Sequence, residues 1–176
     1  PKRHQKSSKS FKKRDTEISQ NFTTFGISFE VILGLILSNI MKIEKALSSK
    51  LPNVDLKNLS FGTVFTDHMF VCNYKNGAWE EPKIIPYQSL SFDPSMSVLH
   101  YGQAVFEGMK GYKDDNDKIW LFRPDQNFER INKSAARLQI PEFPKKYFFE
   151  GLKQLLRLDA DWIQKGIGNS MYIRPF

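Results

Sequence analysis

An α/β fold of the α+β kind, a mixed sheet with packed helices, is predicted by three features of the chain. Segments of β character run from Phe61 to Phe122, two helical periodicities follow between Pro124 and Ile163, and a strand-like segment closes at Tyr172-Ile173-Arg174. The 176 residues are 40% hydrophobic and 26% charged, enough apolar material for one core and unlike a disordered chain. The net charge of +7 is uneven, because residues 1–40 hold seven Lys/Arg against three Asp/Glu. Cys72 is the single cysteine, which excludes a disulfide framework and a cysteine-based zinc site; its strand-like neighbours predict a core position.

Residues 1–40 read as a basic leader with a short apolar segment. Residues 1–20, rich in Lys, Arg and Ser, cannot bury enough surface to offset the entropy of ordering and are predicted to be disordered. A nucleic-acid arm is the weaker reading, since only Phe11 interleaves the charges. The run Phe25–Leu37 is too short for a membrane span and contains Glu30, and Ser38-Asn39-Ile40 lacks the small-residue pattern of a signal cleavage site. A mitochondrial leader should be rich in Arg and poor in acids, whereas this one favours Lys and carries Asp15, Glu17 and Glu30, so the cytoplasm is expected and the mitochondrion is the alternative. Met41-Lys42-Ile43 resembles a natural start, which makes residues 1–40 a candidate for upstream translation. The chain is expected to be a fragment cut at both ends. Residues 41–60 form an N-terminal extension and residues 61–176 the folded domain.

Within that domain, Lys75-Asn76-Gly77-Ala78 predicts a hairpin turn between Phe65–Tyr74 and a strand starting at Trp79. Pro82 and Pro86 bracket Lys83-Ile84-Ile85, which predicts an edge segment or loop rather than a central strand. A further short strand is expected at Ser89–Phe92. Leu99 to Lys110 combines Tyr101 and Phe106 with a buried-looking acid, Glu107, and with Gly102 and Gly108, the makings of either a glycine-bearing turn into a strand or an apolar pocket wall. Met109–Tyr112 and Lys118–Phe122 are paired strands, and the acidic tip Lys113–Asp117 lacks the spacing of a calcium loop. Pro124 opens a helix whose buried stripe is Phe128, Ile131, Ala135 and Leu138, and a second helix runs from about Lys145 to Ile163.

No phosphate-binding glycine loop, dinucleotide fingerprint, paired-histidine zinc motif or nucleophile elbow is present, and no metal site is expected. His4, His68 and His100 are isolated and read as structural or exposed. Anion-binding candidates remain. Tyr172 and Arg174 share one strand face about 7 Å apart and could receive a carboxylate, or Arg174 could form a surface ion pair. Arg130 and Arg137 lie two turns apart on a helix and suit either a phosphate or a solvated basic face.

Four motifs in order, Phe61-Gly62-Thr63-Val64-Phe65-Thr66-Asp67-His68-Met69, Leu99–Lys110, Leu121-Phe122-Arg123-Pro124 leading to Asn127-Phe128-Glu129-Arg130, and Tyr172-Ile173-Arg174-Pro175, closely resemble branched-chain amino acid aminotransferases of the fold-type IV, pyridoxal-phosphate class. The resemblance covers about residues 57–176 and nothing before Met41. It implies the N-terminal (small) domain of a two-domain enzyme, with pyridoxal 5′-phosphate in the cleft between domains. It implies that Arg130 holds the cofactor phosphate, that Tyr172 and Arg174 lie near the substrate carboxylate, that Phe61 and Phe106 wall the branched side-chain pocket, and that Tyr101 reaches into a neighbouring subunit's site. A homodimer or higher homo-oligomer acting on amino and 2-oxo acids is therefore expected, with no nucleic acid or membrane partner. The family's Schiff-base lysine lies beyond Phe176, and Lys110 receives no role. The implied activity is amino transfer from L-leucine, L-isoleucine or L-valine to 2-oxoglutarate. A D-amino acid aminotransferase or aminodeoxychorismate lyase is the enzyme alternative, and a basic leader that binds membrane or nucleic acid is the non-enzyme alternative.

Overall fold

The computed structural model describes residues 41–176, so the expectations for the disordered leader and for the apolar run Phe25–Leu37 lie outside the described residues. In chain order the strands are β1 (Lys42–Ile43), β2 (His68–Val71), β3 (Tyr74–Lys75), β4 (Ala78–Trp79), β5 (Lys83–Pro86), β6 (Met109–Lys113), β7 (Ile119–Leu121) and β8 (Met171–Ile173). The α-helices are α1 (Ser97–Tyr101), α2 (Pro124–Arg137) and α3 (Lys145–Leu158). Helices and strands are thus mixed, and the strands form three small sheets, ordered β1-β5-β2, β3-β4 and β7-β6-β8.

The hairpin turn forms where its chemistry requires, but its arms are only β3 and β4; His68–Val71, expected in the same arm, pairs with β5 instead. Asn76 and Gly77 both take positive φ, 51° and 81°, the pair of left-handed residues that matches the twist of two antiparallel strands. The tip between β6 and β7 is organised by Asp114, whose carboxylate accepts from the backbone N–H groups of Asn116 and Lys118 and from the Trp120 indole.

The segment bracketed by Pro82 and Pro86 is a correction. It is β5, the central strand of its sheet, parallel to β1 and antiparallel to β2, with Ile84 fully buried. The prolines are tolerated because their missing donors fall at its ends: Pro82 precedes the strand and its carbonyl accepts from Lys42 N–H at 3.3 Å, while Pro86 is its last residue. Ser89–Phe92 forms no strand, because it is exposed and pairs with nothing. Cys72 is half-buried rather than in the core; burial, then Glu80, pushes its thiol up to about 11.

Helix α2 buries Phe128 and Ala135 as its spacing predicts, but Leu138 is its exposed C-cap, and Asn127 is buried instead. Helix α3 ends at Leu158, five residues short of the expected end, because Asp159 leaves the helix and turns its carboxylate to His68. The helix lies between two sheets. Gly151 faces the Phe70 ring of β2 so closely that an added Cβ would overlap it, and Leu156 faces Gly111 of β6. Met109, Phe128, Phe148, Leu152, Leu156 and Ile163 form the core, with Met171 and Ile173 of β8 packed against it. Removing such side chains from water contributes roughly 1.5–3 kcal/mol each.

A buried polar anchor ties the start of the described chain to this frame. Asp67 accepts from Ser49 Oγ at 2.5 Å, Lys50 N–H at 2.8 Å and the Trp162 indole at 2.9 Å. His68 accepts from Ala46 N–H at Nε2, 2.9 Å, so its proton sits on Nδ1, which donates to Asp159 at 2.6 Å. His68 therefore has the structural role its isolation predicts. No helix among the described residues is long and apolar enough to cross a membrane.

Candidate functional site

The stretch from Ser97 to Gly108 does not enter a strand directly. It forms the short α1, which Gly102 closes in the left-handed conformation, φ 61°. An extended segment follows, fastened at both ends: Gln103 Nε2 donates to Leu138 O at 2.7 Å, and Glu107 N–H donates to Pro175 O at 2.9 Å. The second bond sets Glu107 and Gly108 beside β8. Lys110 of β6 is paired with Tyr172 of β8, and the period-two alternation turns Met171 and Ile173 inward and Tyr172 outward over Gly108. A Cβ on Gly108 would come within 2.5 Å of the Tyr172 hydroxyl, so only glycine permits that ring position.

These elements enclose a cleft of about 470 Å³ lined by Gly108, Lys110, Arg123, Asn127, Arg130 and Tyr172, among others. Arg123 begins α2 with φ 48°, a conformation uncommon for a non-glycine residue. One turn further along, Asn127 Nδ2 donates to Gly108 O at 3.2 Å. Arg130 makes a two-pronged contact, Nε to Glu107 Oε2 at 2.5 Å and Nη2 to Glu107 Oε1 at 2.7 Å. Glu107 is buried, whereas the Arg130 side chain is 63% exposed. The Arg130 guanidinium, with help from Gly108 N–H, outweighs burial and holds the Glu107 carboxyl below the usual range.

The residues singled out from the sequence divide into two groups. Phe61, Phe106, Tyr172 and Arg174 come together: Phe61 meets the Tyr172 ring edge-on at 5.0 Å, and the Arg174 guanidinium lies 5.2 Å from the Tyr172 ring and 5.9 Å from that of Phe106. Arg130 shares the cleft with Tyr172. Tyr101, 86% exposed at the end of α1, stands apart, beside His100 alone among the described aromatic residues. The sequence marks Glu107 as a buried-looking acid but gives it no partner, and the structure buries it; Asn127 is not singled out at all. The signal for Asn127 was its place three residues before Arg130 on one helix face; for Glu107 the apolar motif around it signalled burial but not its pairing with Arg130.

Chemically, the site offers anion receptors with unspent donors. Glu107 occupies Nε and one N–H of Nη2, leaving Nη1 and the other Nη2 proton of Arg130 for a second anion such as a phosphate. Arg174 has no carboxylate partner among the described residues and is flanked by aromatic faces, a setting that suits a carboxylate joined to an apolar group.

No family model matches the chain. Among curated relatives, branched-chain-amino-acid aminotransferase 2 of Bacillus subtilis is 54% identical over 130 residues, which is 73% of this chain and 36% of that protein. A probable branched-chain-amino-acid aminotransferase of Staphylococcus epidermidis is 49% identical over 141 residues, 80% of this chain and 39% of the relative. The branched-chain-amino-acid aminotransferase of Dictyostelium discoideum is 44% identical over 155 residues, 88% of this chain and 41% of its own length. That last share is larger than Met41–Phe176 alone provides, so likeness extends before Met41 and begins earlier than the four motifs indicate. The chain spans little more than a third of the length of these relatives.

Proposed function

Because the chain belongs with the branched-chain-amino-acid aminotransferases, we propose that it is the N-terminal, fold-type IV domain of such an enzyme, using pyridoxal 5′-phosphate. The complete protein transfers the amino group of L-leucine, L-isoleucine or L-valine to 2-oxoglutarate. The observation that carries this reading is the 54% identity across a span that includes a cleft with an exposed, partly unspent Arg130.

The cleft residues fit the cofactor. Its phosphate is a dianion, and Arg130 has a guanidinium edge to offer it, with Lys110 and Arg123 adding positive charge along the same wall. When bound, the cofactor supplies an electron sink for the carbanion left when an amino acid loses its α-proton. The lysine that binds it covalently belongs to the part of the protein beyond Phe176. Arg130 anchors the phosphate, Arg174 and Tyr172 receive the substrate carboxylate, and Phe61 and Phe106 exclude water around the branched side chain. Such a pocket distinguishes substrates by only about 1–3 kcal/mol per methylene, so the three amino acids are accepted together. Tyr101, standing out from this site at 86% exposure, serves the neighbouring subunit of a homodimer.

The test is an assay of the full-length protein loaded with pyridoxal 5′-phosphate. Glutamate formed from L-leucine and 2-oxoglutarate supports the reading. Turnover of D-alanine alone, or pyruvate release from aminodeoxychorismate, places the protein elsewhere among fold-type IV enzymes.

A further inference from the structure

We propose that Glu107 is a positioning residue for the anion site, holding Arg130 in the one orientation that presents its free guanidinium edge to the cleft. The proposal rests on the reading that Arg130 binds the cofactor phosphate, and it assigns to Glu107 a role exercised through Arg130.

The geometry is asymmetric in a telling way. In most ion pairs on a protein surface both partners are exposed and the pairing fixes little. Here the acid is buried and the base is not: the Glu107 side chain is 8% exposed and that of Arg130 is 63% exposed. The carboxylate is itself held by further bonds. Its backbone N–H is bonded to Pro175 O, its Oε1 accepts from Gly108 N–H at 2.7 Å as well as from Arg130, and the Gly108 carbonyl is held by Asn127. Glu107 cannot swing out to follow the arginine, so the arginine must conform to it. Two parallel bonds, from Nε and Nη2, fix the plane of the guanidinium as well as its position. A long side chain that would otherwise sample many rotamers is then ordered before any ligand arrives, and the ordering cost is not charged to binding.

Charge alone argues the other way. A carboxylate beside a phosphate site repels the ligand, so a purely electrostatic account expects loss of Glu107 to tighten anion binding. The positioning account expects the reverse. The two are separable in the full-length protein by measuring dissociation of pyridoxal 5′-phosphate for the parent, Glu107→Gln, Arg130→Ala and the double variant, with thermal melting of each apoprotein to register the fold. Glu107→Gln retains shape and one acceptor, and Glu107→Asp is the second variant, which keeps the charge but withdraws the carboxylate from the arginine.

Glu107→Gln and Glu107→Asp are each expected to weaken cofactor retention about tenfold, the factor that 1.4 kcal/mol represents. Adding Glu107→Gln to Arg130→Ala should weaken it no further, because no guanidinium is left to position. Equal or tighter retention in either single Glu107 variant overturns the proposal, as does an additive loss in the double variant, which marks a merely structural role. If Arg130→Ala itself leaves retention unchanged, the failure belongs to the phosphate assignment rather than to the positioning of Arg130.

Discussion

Two polar clusters sit at opposite ends of the same logic. Around Asp67, His68 and Asp159 the charged and polar groups are buried and saturated: both carboxylates accept from several donors, and each imidazole nitrogen has a partner. Around Arg130 and Arg174 the cations are exposed and retain unused donors, set among aromatic rings that also face outward. The first cluster closes the fold on itself by joining residues 46–50, the start of β2 and the end of α3. The second leaves its bonding capacity open. Saturation is what a structural network needs, since an unpaired buried polar group is costly, whereas a binding site is useful to the extent that it stays incomplete.

The sharpest way to break this contrast is to remove an acceptor from the saturated cluster. Asp159→Ala deprives both the backbone N–H and Nδ1 of His68 of their partner, and the full protein is expected to lose about 3 kcal/mol in chemical denaturation. A loss no larger than that of an exposed side chain would show that the anchor is not structural. The complementary change is Gly108→Ala in the open cluster, where a methyl group forces the Tyr172 ring to move. The expected result is a rise in KM of about tenfold, equivalent to 1.4 kcal/mol, with melting temperature nearly unchanged because Tyr172 faces the cleft rather than the core. A large drop in melting temperature with unchanged KM would reverse the assignment.

The smallest effect is the dependence on pH. Burial would raise the Asp67 carboxyl, but the bonds from Lys50 N–H, Ser49 and the Trp162 indole outweigh it and hold it below the usual range. A carboxyl lowered in the folded state contributes stability that is fully present above its unfolded value and is lost as pH falls through the folded one. Stability should therefore be flat near neutrality and decline in the acid, Asp67 contributing at most about 1.4 kcal/mol per pH unit to the slope. Asp67→Asn should give a shallower acid limb in urea titrations at stepped pH; an identical limb would remove Asp67 from the account.

Elements whose signals are local were legible. The Asn76-Gly77 hairpin, the Pro124 start of α2, the β6–β7 pair and the alternation of Met171, Tyr172 and Ile173 follow from dihedral preferences and periodicity within a few residues. Four motifs in order also placed the family, and the relatives at 44–54% identity agree with them. The misreadings share one origin. Lys83–Pro86 reads as an edge because of its prolines, yet it is central because β1 and β2, from distant parts of the chain, pair with it on both sides. The second helix reads as running to Ile163, yet it stops because Asp159 finds a better partner 91 residues away in His68.

By itself, then, the amino-acid sequence determined the mixed α/β character and the family, and its resemblance to that family offered Tyr172, Arg174, Phe61, Phe106 and Arg130 as candidates for a site. The tertiary structure decided that Phe61, Phe106 and Arg174 gather at Tyr172, that Arg130 shares a cleft with Tyr172, and that Tyr101 stands apart. It also decided that Glu107, a buried-looking acid with no partner legible in the sequence, grips Arg130 from 23 residues away. The physical reason is that periodicity and turn chemistry act within one or two turns of chain. Saturating a buried carboxylate is settled only when distant segments are packed together and each donor must find an acceptor.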